Sequence, residues 1–271
     1  MNAPVYPANR LRVTARCAVI PSGEMKAQRV IFRSQVVPEP DTWVLTEDLV
    51  PESVPHEALT AYLQALLRVW AHRAGVEALV ARNLAIRLDR ERPQIGLDPD
   101  VAVIVPAPRG AGKLQSLRLW EDSHRAPRLA IEVVSPNHAT KDYRVAPEKY
   151  AACGAEELWV LDPLLAGPRE GGGPYRIQVW RWLDAERFAR IYEGEGPAWS
   201  EAVGGWVHAT EGGAWFTICS DEGGQERWQT RREEAERRAE EAQRRAEAAQ
   251  RRAEAAQREL VALRAQLAGG G

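Results

Sequence analysis

The stretch RRAEEAQRRAEAAQRRAEAAQ, residues 237–257, repeats every seven residues, and such a period allows one local structure. Ala235, Ala239, Ala242, Ala246, Ala249, Ala253 and Ala256 alternate at spacings of four and three, and Leu260, Leu263 and Leu267 continue the seam. That is the apolar stripe of a helix. Glu233, Glu234, Glu240, Glu241, Glu247 and Glu254 each stand four residues ahead of an Arg, the favourable orientation for pairs of about 0.2–0.5 kcal/mol each. A long helix over 225–267 is expected. Alanine buries little area, so two outcomes stay open: a solvated single helix, or a homodimeric coiled coil through residues 232–267, best packed at the leucines. The weak dimer is the expectation.

The rest of the 271-residue chain is long enough for one well-buried domain. The net charge of -2 gives no overall basic field, so contact with nucleic acid requires a local patch. Cys17, Cys153 and Cys219 are far apart and show no CxxC spacing, which excludes a zinc ribbon and points to a reducing compartment. No apolar run approaches the roughly 20 residues of a bilayer span, and the N-terminus shows no secretory apolar region. A cytoplasmic location without membrane contact is expected.

Residues 1–41 are broken by Pro and Arg and read as an irregular N-terminal arm with one possible strand at 30–37. PHEALTAYLQALLRVWAHRAG places Leu59, Leu63, Leu66, Leu67 and Trp70 on one face, predicting a helix over 53–74 stopped by Gly75. Strands are predicted at 77–81, 84–88, 101–105 and 129–134, and the stretch 106–127, rich in Gly and Pro at its start, reads as a mobile loop with a short element around Trp120. APEKYAACG is a short helix with Pro147 in its first turn and Gly154 at its end, and ELWVLDP is a buried strand. YRIQVWRWL and RFARIYE alternate like a hairpin turned at DAE. Residues 42–220 therefore read as an α/β (α+β) domain with a mixed sheet flanked by helices, and 225–267 as the appended helix. Trp180, Trp182, Trp199, Trp206 and Trp215 crowd the second half, either as packing or as a platform for bases.

Two acids stand out by placement. Asp100 precedes the apolar strand VAVIV, and Glu132 interrupts LAIEVV. If the strands pair, both carboxylates converge at one sheet end, offering the hard oxygen donors of a Mg²⁺ site at a phosphodiester. By alternation alone, Glu132 would share a solvent face with Ala130 and Val134, and Asp100 would be a turn residue of DPD.

PDVAVIV, LAIEVVSP, Asp142, the helix with KYAACG and ELWVLDP occur in this order and at close spacing. The run over 53–183 resembles the Uma-two family, a branch of the PD-(D/E)-X-K nuclease superfamily with a restriction-endonuclease-like fold. The resemblance implies that Asp100 and Glu132 are catalytic metal ligands for Mg²⁺ or Mn²⁺ and that the substrate is DNA. The superfamily lysine two residues after the second acid is Val134 here, and the family's usual alternative, one turn before the Tyr, is Ala146. Lys149 is the first substitute for the catalytic amine and Lys141, in the preceding loop, the second. Glu57 at the start of the first helix is a possible additional carboxylate; the plainer reading is a first-turn acid complementing the helix dipole.

Arg109, Lys113, Arg118, Arg125 and Arg128 lie between the two acids, a basic loop suited to phosphates and partly balanced by Glu121 and Asp122. Two functions follow as expectations. One is a metal-dependent DNA endonuclease; the other is a catalytically degenerate binding or assembly module of the same fold, acting through its C-terminal helix.

Overall fold

The computed structural model describes residues 31–33, 43, 53–169 and 173–268, and the chain divides into two compact units, residues 1–228 and 229–271. Of the expected N-terminal arm, only the strand β1 (Ile31–Arg33) lies among the described residues.

The first unit is built on a seven-stranded mixed sheet. With β2 (Leu79–Arg82), β5 (Val101–Ile104), β7 (Leu129–Val133), β8 (Glu157–Leu161), β9 (Ile177–Trp182) and β10 (Arg187–Gly194), its order is β1-β10-β9-β8-β7-β5-β2. The β7–β8 pair is parallel and its neighbours β5–β7 and β8–β9 are antiparallel. Two small sheets accompany it. One joins β3 (Ala85–Arg87), β4 (Gly96–Leu97) and β6 (Ser116–Arg118) in the order β4-β3-β6. The other joins β11 (Ala198–Ser200), β12 (Gly205–Thr210) and β13 (Trp215–Cys219).

Helix α1 (Val54–Arg73) begins at Ser53, whose hydroxyl accepts from the His56 N–H, and carries Pro in its first turn. Its buried stripe of Leu59, Leu63, Leu66 and Leu67 joins Val101, Val103, Leu129, Ile131 and Val133 in one core cluster. Helix α2 (Ala146–Cys153) covers the other face, where Tyr150, Ala151 and Cys153 cluster with Ala102, Ala130, Val134, Leu158 and Val160. Gly154, at φ +80°, closes α2 in the left-handed conformation a glycine adopts without penalty.

Both faces of the sheet are therefore covered, and β7 at its middle is buried at every position. This overturns the solvent-face reading of Glu132, because alternation predicts a wet face only where nothing packs on it. Predicted strands appear within a few residues of their expected places. The short β4 and the whole β11–β13 sheet were missed; β4 and β11, at two and three residues, carry no period that a sequence can reveal, whereas β12 and β13, at six and five, were given no element. Within the stretch 106–127, β6 lies two residues ahead of Trp120, where the short element was expected. Of the second-half tryptophans, Trp180 is core, while Trp199 and Trp206 pair at 5.3 Å and Trp215 meets Tyr62 at 5.5 Å. Glu157 ties β8 to the β11 region: it accepts from Trp159 Nε1 at 2.8 Å, from the Glu201 N–H at 3.0 Å and from the Ser200 hydroxyl.

The second unit is helix α3 (Arg231–Ala268). It starts later than expected because Thr230 and Glu233 form a reciprocal capping box. The Glu233 N–H donates to Thr230 Oγ1 at 3.2 Å, and the Thr230 N–H donates to Glu233 Oε2 at 2.7 Å. Glu234–Arg238 and Glu240–Arg244 pair as expected, at 3.9 and 3.8 Å, whereas Arg237 turns forward to Glu241 at 2.8 Å. With an acid on either side of each arginine, the exposed partners are interchangeable. Among the described residues no helix is long and apolar enough to cross a membrane.

Candidate active site

The β5–β7 register sets the two acids against each other. Val101 pairs with Ile131 and Ala102 with Ala130, so one step further Asp100 stands opposite Glu132. Asp100 closes the strand end with a hydrogen bond that no ladder position requires: its Oδ2 accepts from the Val133 N–H at 2.6 Å. Its Oδ1 lies 3.2 Å from His56 Nε2, delivered by the first turn of α1. Glu132 is only 7% exposed, and its Oε1 accepts from the Tyr150 hydroxyl of α2 at 2.6 Å. Burial first, then the charges of Asp100 and Asp142, push the Glu132 carboxyl well above the ordinary range; Lys141 and the Tyr150 hydrogen bond oppose them.

The chain between β7 and α2 supplies the remaining charges. Residues Lys141–Val145 form a π-helical turn running directly into α2. A π turn carries one extra residue per turn, is rare, and is found disproportionately at functional positions. Asp142 is buried on it and lies in the field of Asp100. Burial raises its carboxyl to about 7, with Asp100 adding and Lys141, the Ser135 N–H and His56 opposing. Lys141 stands exposed at the rim. Desolvation works against its charge, but the combined field of Glu132, Asp98, Asp142 and Asp100 prevails and holds its pKa above the usual value. Lys149 is different: 8% exposed, its amine 5.7 Å over the Trp43 ring, and its pKa lowered by burial and by Lys141 despite Asp98 and Glu132.

A tether fixes the π turn. The Tyr143 hydroxyl lies 2.9 Å from Asp162 Oδ2 and accepts from the Tyr175 N–H at 3.0 Å. Asp162, from the LDP that follows β8, also accepts from the Ala166 N–H at 2.9 Å and the Gly167 N–H at 2.8 Å. The Tyr143 ring lies against Gly167 so closely that any side chain there would collide with it. Asp162→Ala would orphan two backbone donors and the phenol, so a loss of about 3–5 kcal/mol is expected in urea unfolding, with Tyr143→Phe costing about 1–2 kcal/mol.

Val134 and Ala146, where the superfamily and family lysines would stand, are each 2% exposed and packed in the α2-side core. Glu57 is exposed on α1, and it is the preceding residue, His56, that reaches Asp100. His56, Asp142 and Tyr150 are thus members of the site that sequence reasoning did not assign. Tyr150 and Asp142 stood within the motif run, but nothing local to His56 signals its neighbour 44 residues away.

The predicted basic residues are dispersed. Arg109 and Arg118 line an open groove on the β4-β3-β6 sheet. Lys113 is exposed on a 3-10 turn (Ala111–Lys113). Arg125 is held by the carbonyls of Asp122 and His124 at 2.7 and 2.9 Å. Arg128 lies over the Trp70 ring at 5.8 Å.

The sheet thus brings Asp100 and Glu132 to one strand end, with His56 of α1 against Asp100 and Lys141 in the field of both acids. The Uma2 family model, described as "Putative restriction endonuclease", matches residues 33–196, and the chain belongs to that family. Among solved structures, a "putative nuclease belonging to DUF820" from Anabaena variabilis aligns over 55% of this chain and 72% of its own, at 15% identity and a TM-score of 0.38. No curated protein matches.

Proposed function

We propose that the protein is a metal-dependent endonuclease that hydrolyses DNA phosphodiester bonds. The observation that carries this reading is the opposition of Asp100 and Glu132 across β5 and β7, with Glu132 buried in a field of like charge that one rim lysine offsets. The donor set fits Mg²⁺ or Mn²⁺. The Val133 N–H occupies Asp100 Oδ2 and the Tyr150 hydroxyl occupies Glu132 Oε1, which leaves Glu132 Oε2 for a cation, together with Asp100 Oδ1, which would be shared with His56 Nε2 at 3.2 Å. Among the described residues no three acid, His or Cys side chains are gathered as a complete protein cage. Mg²⁺ needs no such cage, since one or two carboxylates with waters and substrate phosphate suffice. When bound, the ion would polarise the phosphodiester and make water a better nucleophile.

The chain's own residues do the rest. Asp100 is oriented by the Val133 N–H and His56, and Glu132 by Tyr150. Of the two candidate amines, Lys141 is favoured over Lys149. It lies in the field of all the site's carboxylates and keeps its proton, so it acts on charge developing at the phosphate rather than as a base. Glu57 is left as a first-turn acid of α1. A cytoplasmic location goes with this reading, as do the buried free thiols of Cys153 and Cys219.

Supercoiled plasmid and single-stranded circular DNA incubated with Mg²⁺ or Mn²⁺ test the reading, alongside Asp100→Ala and Glu132→Ala. Nicking or linearisation by wild type alone is expected; cleavage that survives both substitutions removes the mechanism. A non-catalytic binding module is the second reading, favoured by the apolar packing at Val134 and Ala146. It predicts no cleavage and no divalent-metal heat in calorimetry.

The Ala and Leu seam of α3 supports a weak homodimer through residues 232–267. Sedimentation of the full chain should show concentration-dependent association that a chain ending at Trp228 lacks. Identical monomers rule the dimer out.

A further inference from the structure

The β4-β3-β6 sheet carries an open groove of about 990 Å³, separate from the carboxylates. Arg87, Arg90, Arg109 and Arg118 line it around Trp120, which is half-buried; Glu121 and Asp122 also face it, and Arg118 pairs with Glu121 at 3.3 Å. Arg90 and Arg109 are exposed. The groove is built on the chain that bears the acids. Strand β4 ends at Leu97, just before Asp100, and the Asn83 N–H, beside β3, donates to the Pro99 carbonyl at 3.2 Å. The rest of the lining belongs to the connection from β5, which Asp100 precedes, to β7, which carries Glu132.

Guanidinium forks match phosphate oxygens, and an indole face matches a nucleobase. In a duplex the base faces are stacked on one another and unavailable to a side chain in a groove. A tryptophan set among arginines therefore calls for a strand with unstacked bases. We propose that this groove binds a single-stranded polynucleotide, with phosphates on the arginines and a base against Trp120. The inference deepens the nuclease reading, on which it rests, by naming the form of substrate led toward the acids.

Fluorescence anisotropy tests it, with an end-labelled 20-nucleotide strand free of self-complementarity and the matching duplex. Binding is measured in EDTA so that no cleavage intervenes. The single strand should bind more tightly than the duplex. Trp120→Ala should weaken the single strand by about 5- to 100-fold, with Trp120→Phe restoring most of it. Arg90→Glu/Arg109→Glu, at two exposed positions, should weaken binding and flatten the log–log salt dependence by about 1.4. Circular dichroism checks that each variant is folded.

Duplex binding equal to or tighter than single-strand binding overturns the proposal. So does affinity unchanged in the folded variants, or no binding by wild type. The nuclease reading fails by a different result. A chain that binds through the groove but cuts nothing in Mg²⁺ or Mn²⁺ loses its catalysis and keeps its groove. A chain that cuts while its groove variants bind normally loses the groove alone.

Discussion

Glu132→Gln should abolish metal-dependent cleavage while making the metal-free protein more stable. The two effects have one cause. The ionised carboxylate is buried against Asp100 and Asp142, which is unfavourable without a cation. The amide keeps the shape and still accepts from Tyr150, but carries no charge. Melting of the metal-free protein at pH 8 should rise by at least about 2 °C. Turnover should fall by about 10²–10⁴-fold, the scale of several kcal/mol of lost charge stabilisation. In wild type, pH should act in the same sense. Glu132 and Asp142 have folded pKa values above their unfolded ones, so the folded chain holds their protons more readily. That stabilisation is present below the ordinary carboxyl range and is lost as pH climbs to the folded value, about 7 for Asp142. Metal-free melting temperatures should therefore fall from about pH 4 to 7, with Mg²⁺ or Mn²⁺ restoring stability at the upper end by binding the folded state. A melting temperature that is lower in the Gln variant, together with unchanged cleavage, would falsify this account of Glu132.

Lys141→Ala should lower the cleavage rate by about 10²–10³-fold, whereas Lys149→Ala should cost less than about 10-fold. Lys141 lies in the field of four carboxylates, and that field holds its proton in place. The Lys149 amine instead lies over the Trp43 ring, and burial and the charge of Lys141 lower its pKa. Its removal should be felt more in stability than in turnover. Single-turnover rates at saturating metal, measured beside thermal melts, separate the two. The reverse ranking, with Lys149 essential and Lys141 dispensable, would return the amine role to the helix position.

The two lysines show how far the sequence could be read. The motif run placed Glu132 within a strand and Asp100 just ahead of one, and gave α2 its limits, because alternation, Pro at a helix start and Gly at its end are local signals. It could not rank the lysines. That ranking depends on a π turn, and the extra residue of a π turn leaves no period in the sequence. It depends also on Trp43, a residue from a part of the chain with no predicted element. His56 has no neighbour in the sequence that marks it as a site residue. Its partner Asp100 is brought to it by α1 packing on β5, a tertiary event.

The sequence by itself determined the long C-terminal helix, the strands around the two acids and the family, since these rest on periodicity and on the order of short motifs. Only the tertiary structure decided that Glu132 is buried, that His56 and Asp142 join it, and that Arg87 and Arg90 share a groove with Trp120. The reason is physical. A residue's periodicity is set by its own neighbours in the chain, but its burial and its field are set by whatever packs across the sheet.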